Sequence, residues 1–217
     1  GIPVHNEGTL FYELWPKKLV GITGTRGKTT TATWTGHFIA DSVVTGNSVT
    51  KPFLSVLEQK APVAVTELSS FVLEYFEYIK RAPEVAVITN LYQDHLNRHG
   101  TMESYARAKA NIFAHQQSAD TLILNANDQW SQFFVDQKPQ ARLLWFDTEP
   151  LAIERDGLYW HADALWWQEN GERAQVVRVP GFVEAWGEHN VFNLLASALA
   201  ARAAGVSGGV IQSRIAT

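Results

Sequence analysis

Lys28 stands inside 24-GTRGKTT-30, preceded by the apolar run 19-LVGI-22 and followed by three threonines. A strand, a glycine-rich turn and a helix in that order make a phosphate site. Free backbone N–H groups and the positive helix end face outward, and glycine lets an anion approach. In such a P-loop Lys28 would neutralise the outer phosphates, and the Thr29 hydroxyl would ligate the Mg²⁺ that accompanies them. The general P-loop spacing asks for glycine where Ile22 stands, so the match is to the GKT half. A tight turn before a threonine-rich helix start is the competing structural reading.

Three further clusters carry polar chemistry. In 66-TELSSFVLEYF-76, Glu67 falls near the end of an apolar run beside Ser69 and Ser70. A carboxylate at a strand end can complete the Mg²⁺ shell begun by Thr29, and ligands of open α/β sheets sit at that edge. Alone, Glu67 fits equally an acid at a helix N-terminus. In 90-NLYQDHLNRHGTMESYARAKANIF-113, Asp94, His95, Arg98 and His99 bunch before a helix that Thr101 can cap. Lys109 lies further along that helix, where spacing alone reads it as a solvated lysine. In 187-GEHNVFNL-194, Asn190 and Asn193 lie one helical turn apart and could present amides to a heterocycle, with capping by Asn190 as the alternative.

Short β-branched runs must position these residues. They recur at 17–23, 41–46, 62–68, 83–89, 120–125 and 141–147, six candidate strands. The spacers place apolar residues at helical intervals, as in Val72, Leu73, Phe76 and Ile79, or Tyr105, Ala108, Ile112 and Phe113. Alternating strands and helices predict an α/β fold, a mostly parallel sheet flanked by helices with the P-loop at its edge. Residues 150–181 change texture, with turn signals at Asp156-Gly157 and Asn170-Gly171, and predict a small antiparallel β appendage. Its Trp160, Trp166 and Trp167 could face another domain or form the hairpin's own core. A final amphipathic helix, 188–205, groups Phe192, Leu195, Ala196 and Leu199 on one face and ends at Gly205.

Bulk properties bound the rest. The chain has 217 residues, 46% of them hydrophobic, enough for a packed core. A net charge of −4 asks for no nucleic-acid or acidic-membrane partner, so anionic ligands need local capture. The absence of cysteine removes disulfides and thiolate metal sites and fits a reducing compartment, with the cytoplasm as default. The first residues lack the basic start and apolar core of a signal peptide, and no apolar run reaches membrane-spanning length. A start without Met and an ending at 208-GGVIQSRIAT-217 suggest a piece of a longer protein.

Taken together, GTRGKTT, ELSSF, the NLYQDHLNRHG…YARAK block and GEHNVFN, in this order, resemble the central ATP-binding domain of the Mur ligases. Within that family, ELSSF and GEHN look like the D-glutamate-adding branch. The resemblance implies a three-domain, ATP-dependent amide-forming ligase of peptidoglycan precursor synthesis, acting on UDP-N-acetylmuramoyl-L-alanine and D-glutamate. Residues 1–16 would be the exit from an N-terminal domain, 17–207 the central domain, and 208–217 the start of a linker to a C-terminal domain. A chain of the central domain alone would bind nucleotide without ligating. The readings outside this branch are another Mur-type or folylpolyglutamate-type ligase, and a P-loop kinase or ATPase.

Carried over by motif, the resemblance implies that Gly24, Thr25, Arg26, Gly27, Lys28, Thr29 and Thr30 cradle the ATP phosphates, and that Asn190 and Asn193 contact adenine. Thr29 and Glu67 would hold one Mg²⁺, and His95 would serve a second together with Lys109, which the family typically carries as a carbamate. Lys28, Glu67, His95 and Lys109 are then the catalytic set, with Asn47, Ser69 and His95 facing the muramoyl substrate. Several positions depart from the family pattern: Arg26 for the usual Asn, SVTK after Asn47, Val72 for Gln, and Asn97 for the second Asp of DHLDR.

Overall fold

Each of the six β-branched runs becomes a strand in the computed structural model, which describes residues 4–47 and 51–215. Residues 48–50, part of the SVTK departure, and the chain's extreme ends, 1–3 and 216–217, lie outside the described residues.

The elements run α1 (Glu7–Leu14), β1 (Lys18–Thr23), α2 (Lys28–Phe38), β2 (Val43–Gly46), β3 (Val63–Glu67), α3 (Ser70–Leu73), β4 (Val85–Ile88), α4 (Leu96–His99) and α5 (Met102–Ala110). They continue with β5 (Thr121–Asn125), α6 (Ser131–Asp136), β6 (Arg142–Asp147), β7 (Gly157–His161), β8 (Ala164–Glu169), β9 (Glu172–Arg178), α7 (Phe182–Trp186), α8 (Glu188–Ala203) and α9 (Gly208–Ile215). One sheet takes all the strands, in the order β2-β3-β1-β4-β5-β6-β7-β8-β9. Pairing is parallel from β2 through β7 and antiparallel only across β7–β8 and β8–β9. The antiparallel segment therefore extends the main sheet through the parallel β6–β7 pair.

Alternation along the strands feeds two cores, because successive side chains of a strand point to opposite faces. Leu19, Ala64, Ala86, Ile88, Leu122 and Leu124 pack under α1, α3, α5 and α6. Val20, Ile22, Val65, Val85, Val87 and Ile123 pack under α2, α8 and α9. Phe11, Tyr12 and Trp15 at the start of the chain are fully buried in the first core, and Ile211 of α9 in the second. Val72, Leu73, Phe76 and Ile79 are buried as predicted, but two short turns, α3 and a 3₁₀ turn at Phe76–Tyr78, carry them in place of one helix.

The tryptophans pack within the chain. Trp166 stacks on Tyr159 with centroids 6.3 Å apart, Trp160 meets Phe182 at 5.9 Å, and the Arg202 guanidinium lies 4.4 Å over Trp167.

Asn170 and Gly171 form the tight β8–β9 turn with φ of 51° and 80°. Asp156-Gly157 makes no hairpin. The β7–β8 tip is Ala162-Asp163, with φ of 50° and 56°, a turn the sequence does not advertise with glycine. Gly157 instead opens β7 at φ 153°, opposite Trp145, and a Cβ there would collide with the Trp145 backbone. Gly157→Ala should therefore prise open the parallel β6–β7 pair and destabilise the chain by about 2–4 kcal/mol. Thermal melting would read this as a drop of several degrees in Tm, and an unchanged melt would refute it.

Candidate functional site

The chain steps from β3 on one side of β1 to β4 on the other, so the carboxyl ends of these three strands flank a crevice at a switch point. The glycine-rich loop leaves β1 there. Gly27 takes φ 82° at the start of α2, and a Cβ on it would meet the Asn193 side chain from α8. No side chain caps α2 among the described residues, and its first helical bond runs from Thr31 N–H to Gly27 O. The N–H groups of Lys28, Thr29 and Thr30 thus form an open helix end suited to an anion.

The loop is braced from β4. Thr25 N–H donates to Asn90 O at 3.0 Å, and Arg26 N–H to Asn90 Oδ1 at 2.9 Å. Arg26 O accepts from Thr89 Oγ1 at 2.8 Å and from Asn90 Nδ2 at 3.1 Å. Asn90 went unassigned in the sequence, although a polar side chain just past a buried strand was the available signal. Asn90→Ala removes two of these bonds and should cost about 1–2 kcal/mol. Faster amide hydrogen exchange over residues 25–30 would show it, and unchanged protection there would count against the brace.

Lys28 bends back so that its ammonium donates to Thr25 O at 2.9 Å. Burial lowers its pKa, opposed by the negative charges of Glu67 and Asp94. Thr29 Oγ1 donates to Glu67 Oε2 at 2.8 Å, which joins the loop to the end of β3. Asn47 N–H donates to the Glu67 main-chain carbonyl at 3.1 Å, placing exposed Asn47 at the same end of β3. Ser69 caps α3, accepting from Val72 N–H, which is the bland role for that hydroxyl. Asn190 is not the N-cap of α8, which begins with Gly187 as its cap residue.

Lys109 overturns the solvated reading. Its side chain is 1% exposed and lies beneath the loop, donating to Gly24 O at 2.9 Å and Thr23 Oγ1 at 3.3 Å. Its nitrogen sits 4.6 Å over the Tyr105 ring. Burial first, then repulsion from Lys28, brings its pKa from 10.5 down to about 7, with Asp94 opposing.

His95 enters α4 in the left-handed region, φ 51°, with its exposed ring 3.5 Å from Asp94 and 5.1 Å, centroid to centroid, from Phe71. Among the described residues no hydrogen bond joins it to Thr29, Glu67 or Lys109. Its neighbour His99 is more enclosed, bonding Ser70 Oγ at 3.0 Å and facing Glu74 at 3.4 Å. Burial lowers the His99 pKa, opposed by Glu74 and reinforced by Lys109.

A cavity of about 600 Å³ opens on the α8 side of the loop, between Arg26, Tyr92, Asn127, His189, Phe192 and Asn193. Asn193 lines it; Asn190 does not. Asn193 accepts from Thr31 Oγ1 at 3.2 Å and donates to Asn190 Oδ1 at 2.8 Å, while Asn190 donates to Trp186 O at 2.7 Å. The pair thereby ties α8 to the loop helix. Asp128 on the cavity wall holds two loops together, accepting from Leu91 N–H at 2.6 Å and Trp130 N–H at 2.8 Å. Asn127, Asp128 and His189 were not singled out in the sequence; the NAND run at the end of β5 was the signal for the first two.

Residues 22–201 match the Mur ligase middle domain. The chain is 34% identical to the UDP-N-acetylmuramoylalanine–D-glutamate ligase of Roseiflexus sp. (strain RS-1), an alignment covering 100% of this chain and 48% of that protein. It is 35% identical to the enzyme of the same name from Geobacillus kaustophilus (strain HTA426), over 100% of this chain and 47% of the relative. The chain spans about half the length of these curated relatives. Among solved structures, MurF of Acinetobacter baumannii superposes with a TM-score of 0.71 at 23% identity, over 96% of this chain and 48% of that one. MurF of Thermotoga maritima in complex with ADP gives 0.64 at 20% identity, over 94% and 51%. The family match over most of the chain, relatives above 30% identity along its whole length, and a shared fold place it plainly: this chain belongs to the Mur ligase family.

Proposed function

We propose that the chain is the nucleotide-binding centre of a ligase that joins D-glutamate to UDP-N-acetylmuramoyl-L-alanine and cleaves ATP to ADP and phosphate. The observation that carries this reading is the contact of Thr29 with Glu67 beside Lys28 and the open end of α2, with Lys109 buried beneath the loop. The names of the full-length relatives support the amino acid and the acceptor.

The substrate carboxylate attacks the γ-phosphorus of ATP, the bond to the bridging oxygen breaks, and ADP leaves an acyl phosphate. The amine of D-glutamate then attacks the acyl carbon, loses a proton, and phosphate departs. Negative charge crowds at both steps, and fixed cations and N–H donors offset it. Gly24 to Thr30 form the phosphate cradle, with Lys28 turning from Thr25 O to the outer phosphates. Asn47, Ser69 and His95 face the acceptor, and Asn193, held by Asn190, borders the base.

Thr29 and Glu67 offer hard oxygen donors, and among the described residues no three His, Cys, Asp or Glu cluster as a metal cage. That donor set fits Mg²⁺, which keeps waters and takes phosphate oxygens. Bound there, Mg²⁺ supplies charge neutralisation at the phosphates. His95 and Lys109 would hold a second ion once Lys109 is carbamylated; an amine with a pKa near 7 suits that reaction because it is substantially neutral at neutral pH.

Flanking domains would bring the UDP-sugar and the amino acid, with 17–207 as the central unit, so the isolated chain binds nucleotide without ligating. The cytoplasm, where ATP and nucleotide sugars reside, is the compartment this reading requires. No helix among the described residues is long and apolar enough to cross a membrane. The test is ADP release by the full-length protein with both substrates. Release that depends on D-glutamate and UDP-N-acetylmuramoyl-L-alanine supports the ligase, and release independent of both points to a simple ATPase.

A further inference from the structure

We propose that Arg26 binds phosphate through its side chain, neutralising the inner phosphates of the nucleotide on the base side of Lys28. The proposal rests on the nucleotide-binding reading above and assigns a role to the residue that replaces the family's Asn.

The backbone of Arg26 has no capacity left for a ligand: its N–H is taken by Asn90 Oδ1, and its carbonyl accepts from Thr89 and Asn90. The same bonds fix where its side chain emerges. That side chain is exposed, with the guanidinium 5.9 Å above the exposed Tyr92 ring, and among the described residues it has no carboxylate partner. An exposed cation–π contact holds it by only about 0.5–1 kcal/mol, so an anion can recruit it.

Position decides which anion. Arg26, Gly27 and Tyr92 line the cavity of about 600 Å³, whereas Lys28, Thr29 and Glu67 do not. A nucleotide with its outer phosphates at Lys28 and Thr29 and its base in this cavity must run its inner phosphates past Arg26. Arg26 is the one Lys or Arg among the cavity's lining residues, and the one acid there, Asp128, is held by Leu91 and Trp130 N–H groups. The guanidinium fork matches phosphate oxygens in pairs, which the Asn it replaces cannot do with charge.

The test is calorimetric titration of the full-length protein with ATP, ADP and adenosine, for Arg26→Asn, Arg26→Lys and Lys28→Ala. Arg26→Asn should weaken ATP and ADP alike, each about 10-fold, the worth of one charge-assisted hydrogen bond. Adenosine should bind as before, and Arg26→Lys should recover part of the loss. Unchanged ADP affinity in Arg26→Asn overturns the assignment, as does an equal loss for adenosine, which would mean that Arg26 only packs Tyr92. If Lys28→Ala weakens ATP while Arg26→Asn does not, Arg26 alone is misassigned. If the unmodified protein binds none of the three ligands, the nucleotide reading falls with it.

Discussion

Lys28→Ala in the full-length protein is expected to lower ATP-dependent ligation by at least about 10²–10³-fold, the usual loss when a fixed charge aimed at a reacting group is removed. The loop's backbone is braced from β4 by Asn90 and Thr89, so the cradle survives the substitution. The residual N–H donors of α2 would still attract phosphate, but nothing would follow the charge that develops on the γ-phosphoryl oxygens. Because Lys28, among the described residues, donates only to Thr25 O, its loss costs little stability, and the melting temperature should move by no more than a few degrees. Steady-state ADP release with both substrates measures the first effect and thermal melting the second. Near-normal turnover would remove Lys28 from the chemistry, and a collapsed melt would show that it is structural.

Lys109 should have the second large effect. Lys109→Met keeps the length of the side chain and removes the amine, so ligation should fall at least about 100-fold while the fold persists. The Gly24 carbonyl loses a donor, a cost of about 1–3 kcal/mol, but the burial of a charge disappears with it.

The pH dependence separates these terms. Lys109 has a pKa of about 7 in the folded chain against an ordinary 10.5. Between those values the unfolded chain carries a proton that the folded one lacks, so stability rises with pH across that window, by at most about 1.4 kcal/mol per pH unit. Below about pH 7 the penalty of the buried ammonium is complete. In nucleotide-free, metal-free protein, denaturant unfolding from pH 6 to 10 should show this rise, and Lys109→Met should flatten it. A rise that survives in Lys109→Met would assign it to another group. Only the neutral amine can take up CO₂, so activity in CO₂-depleted buffer should fall and return with bicarbonate; activity indifferent to CO₂ would exclude the carbamate.

Much of the fold was legible because its signals are local. Each of the six runs rich in Val, Ile, Leu and Thr became a strand, since β-branched residues bounded by turn formers favour extended backbone whatever lies beyond them. Thr101 caps α5 as its position before the helix suggested, accepting from Ser104 N–H. The glycine-rich turn into α2 was legible for the same reason: Gly27, Lys28 and Thr29 stand at adjacent positions. The β7–β8 tip was not, because Ala162 has no preference for positive φ and is held there by the pairing of strands on either side.

What the sequence by itself determined was the alternation of strands and helices, the glycine-rich loop and the identities of the charged groups around it. Only the tertiary structure decided which of those groups meet. Lys109 lies 85 residues from the Gly24 carbonyl it bonds, and Arg26 lies 64 from Asn90. Helical spacing carries no information on whether a lysine faces water or the underside of a loop. The order of strands sets that, by bringing the carboxyl ends of β1, β3 and β4 together while α5 packs across the same face. Burial there, with Lys28 close by, makes an ordinary lysine one that is substantially neutral near pH 7.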